Sequence, residues 1–212
     1  RFLVRSKPGL AGIWSREAPQ AHAHSMSEDS PCLSEGYEVR EMRRDDFSKG
    51  LVPLLSQLTK VGDLSEQRFL DVFDLRASQA EIYRSFVIEH SASKRLVAVA
   101  TLIVEAKFLH GGSFVGHVED VVTDSAHRKR GLAKAILQKL AAEAKALGCY
   151  KVILDCNADN VPFYEKCGYR ACERQMRLDI KLEDGTKSPM NKQRLQREKF
   201  LITCASICRG SR

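Results

Sequence analysis

The 212-residue chain has no apolar run approaching the ~18 residues that a membrane-crossing helix needs, so no membrane span is expected. It has seven cysteines, an odd number, and no CxxC pair. A disulfide scaffold, a zinc ribbon and a dithiol redox motif are thereby disfavoured, and the cysteines read as free, reduced thiols of an intracellular, cytoplasmic protein. The phosphate-binding pattern GxxxxGK[ST] is missing, and so is the dinucleotide fingerprint GxGxxG. His117 and His127 stand beside no acidic motif with metal-ligand spacing, so no metal is expected. Internal repeats are absent.

A one-sided charge is also missing where it would matter. The net charge is +7, but residues 1–34 carry four basic and three acidic groups, and residues 35–184 carry 23 of each. Residues 185–212 carry seven basic groups and one acidic. The excess therefore sits in the tail, and no nucleic-acid partner is expected for the domain itself. Three regions follow. An N-terminal extension over 1–34 is expected to be disordered, with a weak organelle-targeting segment as the alternative. A domain spans 35–184, and a basic extension covers 185–212.

What is present is an alternation of strand and helix patterns. Tyr37 to Met42 alternates as a first strand. Asp45 or Asp46 is expected to cap a helix through Phe47, Leu51, Leu54, Leu55 and Leu58, with a break at Pro53. Ser65-Glu66-Gln67-Arg68 signals a second helix start before Phe69, Val72 and Phe73. Strands follow over Tyr83–Glu89 and Leu96–Val104, and Lys107 to Leu109 is expected to extend the sheet before a turn at His110 to Ser113. A further strand covers 116–122. A long amphipathic helix then buries Ala133, Ile136, Leu137, Leu140, Ala144 and Leu147, and stops at Gly148. The next strand, Tyr150 to Cys156, is parallel to the previous one because a helix crosses between them. Asn160 or Asp159 caps a short helix through Phe163 and Tyr164, and a last strand runs from Tyr169 through Met176 and Leu178.

The stretch Arg128-Lys129-Arg130-Gly131-Leu132-Ala133 opens the long helix directly after a strand. Such a loop can aim several backbone N–H groups at one anion, with the helix dipole and nearby cations in support. Taken alone, the same residues describe a solvated basic helix start equally well.

The pattern Arg128-x-x-Gly131-x-Ala133 resembles the acetyl-coenzyme A loop of the GNAT acetyltransferase superfamily. Residues 116–122 (GHVEDVV), 148–156 (GCYKVILDC), 160–169 (NVPFYEKCGY) and 58–62 (LTKVG) resemble one family within it, the glucosamine 6-phosphate N-acetyltransferases. The similarity covers about residues 36–180. It implies an α/β GNAT fold, with a central mixed, mostly antiparallel sheet split between strands four and five and flanked by helices. It also implies direct acetyl transfer from acetyl-CoA to the amine of glucosamine 6-phosphate, within UDP-N-acetylglucosamine biosynthesis, by a homodimer.

Carried over by the resemblance, Arg128, Lys129, Arg130, Gly131, Leu132 and Ala133 bind the pyrophosphate. The backbone of Glu119 to Val122 faces the pantetheine and acetyl group, and the Val121 N–H polarises the thioester carbonyl. Asn160 and Tyr164 contact the cofactor, with Tyr164 serving the departing thiolate. Asp120 and Asp155 sit near the sugar amine, and Asp155 or Glu119 assists its deprotonation. Lys60, Lys151 and Arg177 are the candidates for the sugar phosphate. The family places an arginine three positions after Met176, where this chain has Asp179. Cys156 invites a covalent cysteine mechanism, but a packed thiol is the expectation. Two other readings remain open on residues alone: acetylation of another amine, such as a polyamine or a peptide terminus, and a non-catalytic acyl-CoA-binding module.

Overall fold

A computed structural model describes Leu33 and residues 35–179, all within one compact unit. Four strands form an antiparallel meander: β1 (Tyr37–Glu41), β2 (Tyr83–His90), β3 (Arg95–Ala106) and β4 (Phe114–Thr123). A fifth, β5 (Cys149–Ile153), pairs parallel with β4, giving the sheet order β1-β2-β3-β4-β5. The parallel pair is joined by α3 (Leu132–Ala146), as a crossover requires.

Two apolar layers cover the sheet. On one face, α3 inserts Leu132, Ile136, Leu137 and Leu140 among Phe86, Ile88, Ala98, Leu102 and Val118. The turn of the helix differs slightly from expectation: Leu132 and Ala135 are buried, whereas Ala133 and Leu147 are only half-buried. On the other face, α1 (Leu51–Leu55) and α2 (Glu66–Ala77) pack Leu51, Leu54 and Phe69 on Val87, Leu96, Val99 and Val122. Ser65 caps α2 as expected, its hydroxyl accepting from the Arg68 amide at 3.2 Å. Leu33, inside the stretch expected to be an extension, packs against the α3-side core. The remaining expectations for 1–34, and those for 185–212, lie outside the described residues.

The first helix is broken differently from the expectation. Residues Arg44–Lys49 form a 3-10 turn that begins after Arg43, so neither Asp45 nor Asp46 is its cap. The break falls at Gly50, whose φ of 92° suits glycine, and not at Pro53. Pro53 stands in the first turn of α1, where its missing N–H leaves no helical bond unmade. Asp46 is instead drawn inward. It accepts two bonds from Arg40, at 2.6 and 2.8 Å, and one from the Arg43 amide at 2.7 Å. Glu89 accepts from the same guanidinium at 2.6 Å, and Lys49 lies 3.3 Å from Asp46.

Three strand expectations need correction. Lys107 to Leu109 do not extend the sheet beyond one ladder bond from the Lys107 amide to Ser113, and Phe108 is fully exposed at the hairpin tip. β5 ends at Ile153 rather than Cys156, because β4 is no longer beside it there. Residues 169–179 form no strand, for no described strand lies alongside to pair with them.

The ion cluster sets a stability prediction. Burial works to raise the Asp46 pKa, but the bonds from Arg40 and the Arg43 amide outweigh it and hold the carboxyl below its ordinary range. The Arg40 bond likewise lowers that of Glu89. Depressed carboxylates stabilise the fold above their unfolded pKa and lose that stabilisation as pH falls through the folded value. Thermal melts should therefore lose stability below about pH 4. Asp46→Ala should cost about 3–5 kcal/mol near neutrality by leaving Arg40 under-paired, and should flatten the acid dependence. Equal melts for both proteins at neutral pH would rule this out.

Candidate active site

β4 and β5 part company midway. Their ladder runs from Phe114–Cys149 to the His117–Ile153 pair and stops, while β4 continues six residues further to Thr123. Along Val118 to Thr123 the β5-side edge of β4 has no strand partner among the described residues. The opposite edge is disturbed as well. The β3 ladder pairs Val99 with Val122 and Thr101 with Glu119, leaving Asp120 and Val121 against the single Ala100. This is a bulge, with Asp120 at a φ of +56°. A non-glycine residue there is strained, and such strain gathers at working sites. An open strand edge with a re-aimed amide can take an extended ligand carrying its own amide groups, and can direct one N–H at a developing negative charge.

The loop expected to bind an anion lies just beyond this edge. Lys129 and Gly131 both adopt positive φ, 61° and 77°, flanking Arg130. Gly131 is the N-cap of α3 and offers no side chain to the first helical amides. The Ala135 amide bonds back to the Gly131 carbonyl. The amides of Leu132, Ala133 and Lys134 precede that first helical bond and so face outward from the helix end. Arg128 is exposed, with its Nε 3.4 Å from the Thr123 carbonyl. The donor set suits a phosphate or pyrophosphate group.

Three side chains able to handle protons border the parting strands. Partial burial raises the Glu119 pKa, with the negative charges of Asp120 and Asp155 adding to it. Asp155 is exposed just past β5 and accepts from Gln175 Nε2 at 2.8 Å. α4 (Val161–Lys166) carries Tyr164, half-buried against the α3-side core to which Val121 also packs. Burial raises the Tyr164 pKa, and Cys156 and Cys167 add to the rise, so the phenol is protonated at neutral pH. Its ring meets Tyr169 edge-on at 5.9 Å, and burial pushes the Tyr169 pKa up to about 12.

Other sequence candidates are placed less centrally. Asn160 occupies the N-cap position of α4 but makes no capping bond with its side chain. Lys60 is exposed in the loop between α1 and α2. Lys151, exposed on β5, lies over the Tyr150 ring at 5.6 Å. Arg177 is not brought to the site: it is exposed and bound to Asp179 at 2.6 and 2.7 Å. Of the cysteines, Cys149, Cys156, Cys167 and Cys172 are free. Among the described residues no group of three or more His, Cys, Asp or Glu could hold a metal ion.

The sequence reading missed several neighbours. Arg76 of α2 reaches Ser85 and Thr101 hydroxyls at 3.3 and 3.4 Å and approaches Asp120 at 3.9 Å. Glu105 gathers His117 at 2.9 Å and Lys107 at 2.6 Å on the face that also bears Glu119. Spacing gave no sign of Arg76, whereas the strand alternation His117–Glu119 could have placed His117 on the right face.

Residues 37–169 match the sequence profile of the acetyltransferase (GNAT) family. The chain is 42% identical over 143 residues to a glucosamine 6-phosphate N-acetyltransferase of Trypanosoma brucei brucei, covering 68% of this chain and 95% of that protein. It is 37% identical over 138 residues to the enzyme of that name from Candida albicans, covering 65% and 92%. The crystal structure of the Arabidopsis thaliana glucosamine-6-phosphate N-acetyltransferase is similar at a TM-score of 0.68 and 37% identity, over 69% of this chain and 100% of that one.

The loop geometry predicts the effect of a single methyl-bearing replacement. Gly131→Val puts a β-branched residue at a φ of 77° and disturbs the uncapped helix start. Coenzyme A titrated by calorimetry should bind at least about tenfold more weakly than to the parent protein. Unchanged affinity would remove the loop from ligand binding.

Proposed function

The chain belongs to the acetyltransferase (GNAT) family, and we infer from that membership, its relatives and its site that it acetylates the amine of glucosamine 6-phosphate with acetyl-CoA. The products are N-acetylglucosamine 6-phosphate and CoA, an amino-sugar step of UDP-N-acetylglucosamine biosynthesis. The observation that carries the chemistry is the open edge of β4 ending in a bulge at Asp120–Val121, beside a pyrophosphate-binding helix start.

In this reading Lys129, Gly131 and the first amides of α3, with Arg128 and Arg130, hold the coenzyme pyrophosphate. The free edge of β4 lines up the pantetheine, and the Val121 N–H meets the thioester oxygen as charge develops on it. Glu119, whose raised pKa makes it a stronger base than an ordinary carboxylate, takes the proton from the sugar ammonium. The amine then attacks the carbonyl carbon directly. Tyr164, a phenol kept protonated by burial, gives its hydrogen bond or proton to the departing thiolate. Asp155 and Asp120 orient the amine and hydroxyls.

The exposed sheet face is itself polarised like the substrate. Glu119 and Asp155 make one end acidic, matching the amine. Lys151 lies four residues before Asp155, on β5 beside Val115, while Lys107 and His117 lie on the same side. Among the described residues Lys151 has a ring contact and no carboxylate in salt-bridge range, so it is the leading phosphate ligand. A polyamine acceptor would call for acidic groups at both ends.

A second chain completes the site. Met176 and Leu178, 92% and 83% exposed, alternate with Gln175, Arg177 and Asp179, the pattern of a strand without its partner. A homodimer supplies that partner and covers both apolar residues.

A thiol-release assay with acetyl-CoA tests the function. Glucosamine 6-phosphate should give turnover well above glucosamine or spermidine; turnover with spermidine alone would overturn the reading. Within the same assay, Tyr164→Phe should lower kcat by about 10²-fold with little change in the KM for acetyl-CoA. Glu119→Gln should abolish an acid limb in kcat/KM that lies above the ordinary carboxylate range. Parent-like kinetics in both variants would remove these proton roles.

A further inference from the structure

The sheet face that bears Glu119 has a second compartment. Between α2 and strands β2 to β4 lies a cleft of about 410 Å³, the size of a small-molecule site. Its walls are mainly apolar, with Leu55, Phe69, Val72, Phe73 and Val99 among them, and Asp120 of the β4 bulge stands at its edge. Its polar lining falls in two groups, one where Arg76 engages Ser85, Thr101 and Asp120 and one where Arg84 pairs with Glu41.

We propose that this cleft receives the acyl chain of the donor thioester, so that the enzyme also transfers acyl groups longer than acetyl, butanoyl and hexanoyl among them, to the same amine. The proposal rests on the reading that places the thioester carbonyl at Val121. Four directions leave the carbonyl carbon in the tetrahedral intermediate. The sulfur lies along the β4–β5 parting, the oxygen at the Val121 amide, and the amine over Glu119 and Asp155 on the β5 side. The acyl carbon takes the remaining direction, toward β3. There Val99 and Thr101 flank the bulge and form the floor of the cleft. A methyl group reaches only its mouth, whereas a longer chain lies along the apolar wall.

The bond changes are those of acetyl transfer. The amine nitrogen forms a C–N bond and the C–S bond breaks; of the two protons the ammonium loses, one goes to Glu119 and the other restores the proton that Tyr164 gives to the departing CoA thiolate. The chain beyond the carbonyl is carried over unchanged, so no further reactant is needed.

The test compares acetyl-CoA, butanoyl-CoA and hexanoyl-CoA as donors to glucosamine 6-phosphate by thiol release, and acetyl-CoA with hexanoyl-CoA by calorimetry. The expected result is a kcat/KM for both longer donors within about tenfold of acetyl-CoA, since each methylene placed in an apolar pocket favours binding. Hexanoyl-CoA should also bind more tightly than acetyl-CoA. Val72→Phe and Ala77→Leu, which fill the cleft from α2, should each lower the hexanoyl rate by about tenfold or more while acetyl transfer stays near the parent value. Acetyl transfer with no use of either longer donor by the parent protein would overturn the proposal, as would variants that slow all three donors alike. If either variant fails to fold, the parent donor series decides alone. Tighter hexanoyl-CoA binding without acetyl transfer to the phosphosugar would instead leave the cleft standing and sink the acceptor assignment.

Discussion

The parting of β4 from β5 is the constraint on which the rest of the site depends. A parallel pair holds only while both strands share a direction, and here the ladder ends at His117 and Ile153. From there β4 offers a row of backbone groups with no strand among the described residues to satisfy them. Unpaired backbone groups away from water are costly, so this edge is most stable when a ligand with complementary amides lies along it. The uncapped start of α3 continues the same theme, for it leaves the first helical N–H groups without an internal partner.

The two faces of the sheet divide the labour. The α3 face is filled by close-packed aliphatic side chains and fixes β4, β5 and α4 relative to one another, so that Val121 and Tyr164 share one apolar cluster. The other face is only half covered. α1 and α2 close it over β2 and β3, with the Arg40–Asp46–Glu89 cluster tying the first turn to β1 and β2. The remaining half, over β4 and β5, is left open by the described residues and carries Glu119, His117 and Lys151. Rigid support behind and access in front are what a transfer site of this kind requires.

Much of this was legible in the residues. The meander, the crossover helix and the parallel β5 follow from period, glycine stops and connection length. The turn that opens α3 was marked by Gly131, which takes the positive φ there. Features that depend on a second element in space did not show. Nothing in Asp120 marks a bulge, since a glycine would have been the signal and an aspartate stands there. The helix break went to Gly50 because the inward pull on Asp46 ends the 3-10 turn before Pro53 is reached. Residues 169–179 have strand periodicity without a strand, because no described strand lies alongside to pair with them. Arg76 reached Thr101 across a helix–sheet interface that no local pattern encodes.

Amide exchange along β4 tests the central claim most directly. Hydrogen–deuterium exchange, read residue by residue with NMR, should show amides between Val118 and Thr123, Val121 among them, becoming protected when acetyl-CoA is added. Those of β2 and of β3 away from the bulge should hardly change. Protection confined to the α3 start, with the β4 amides exchanging as fast as before, would contradict the account.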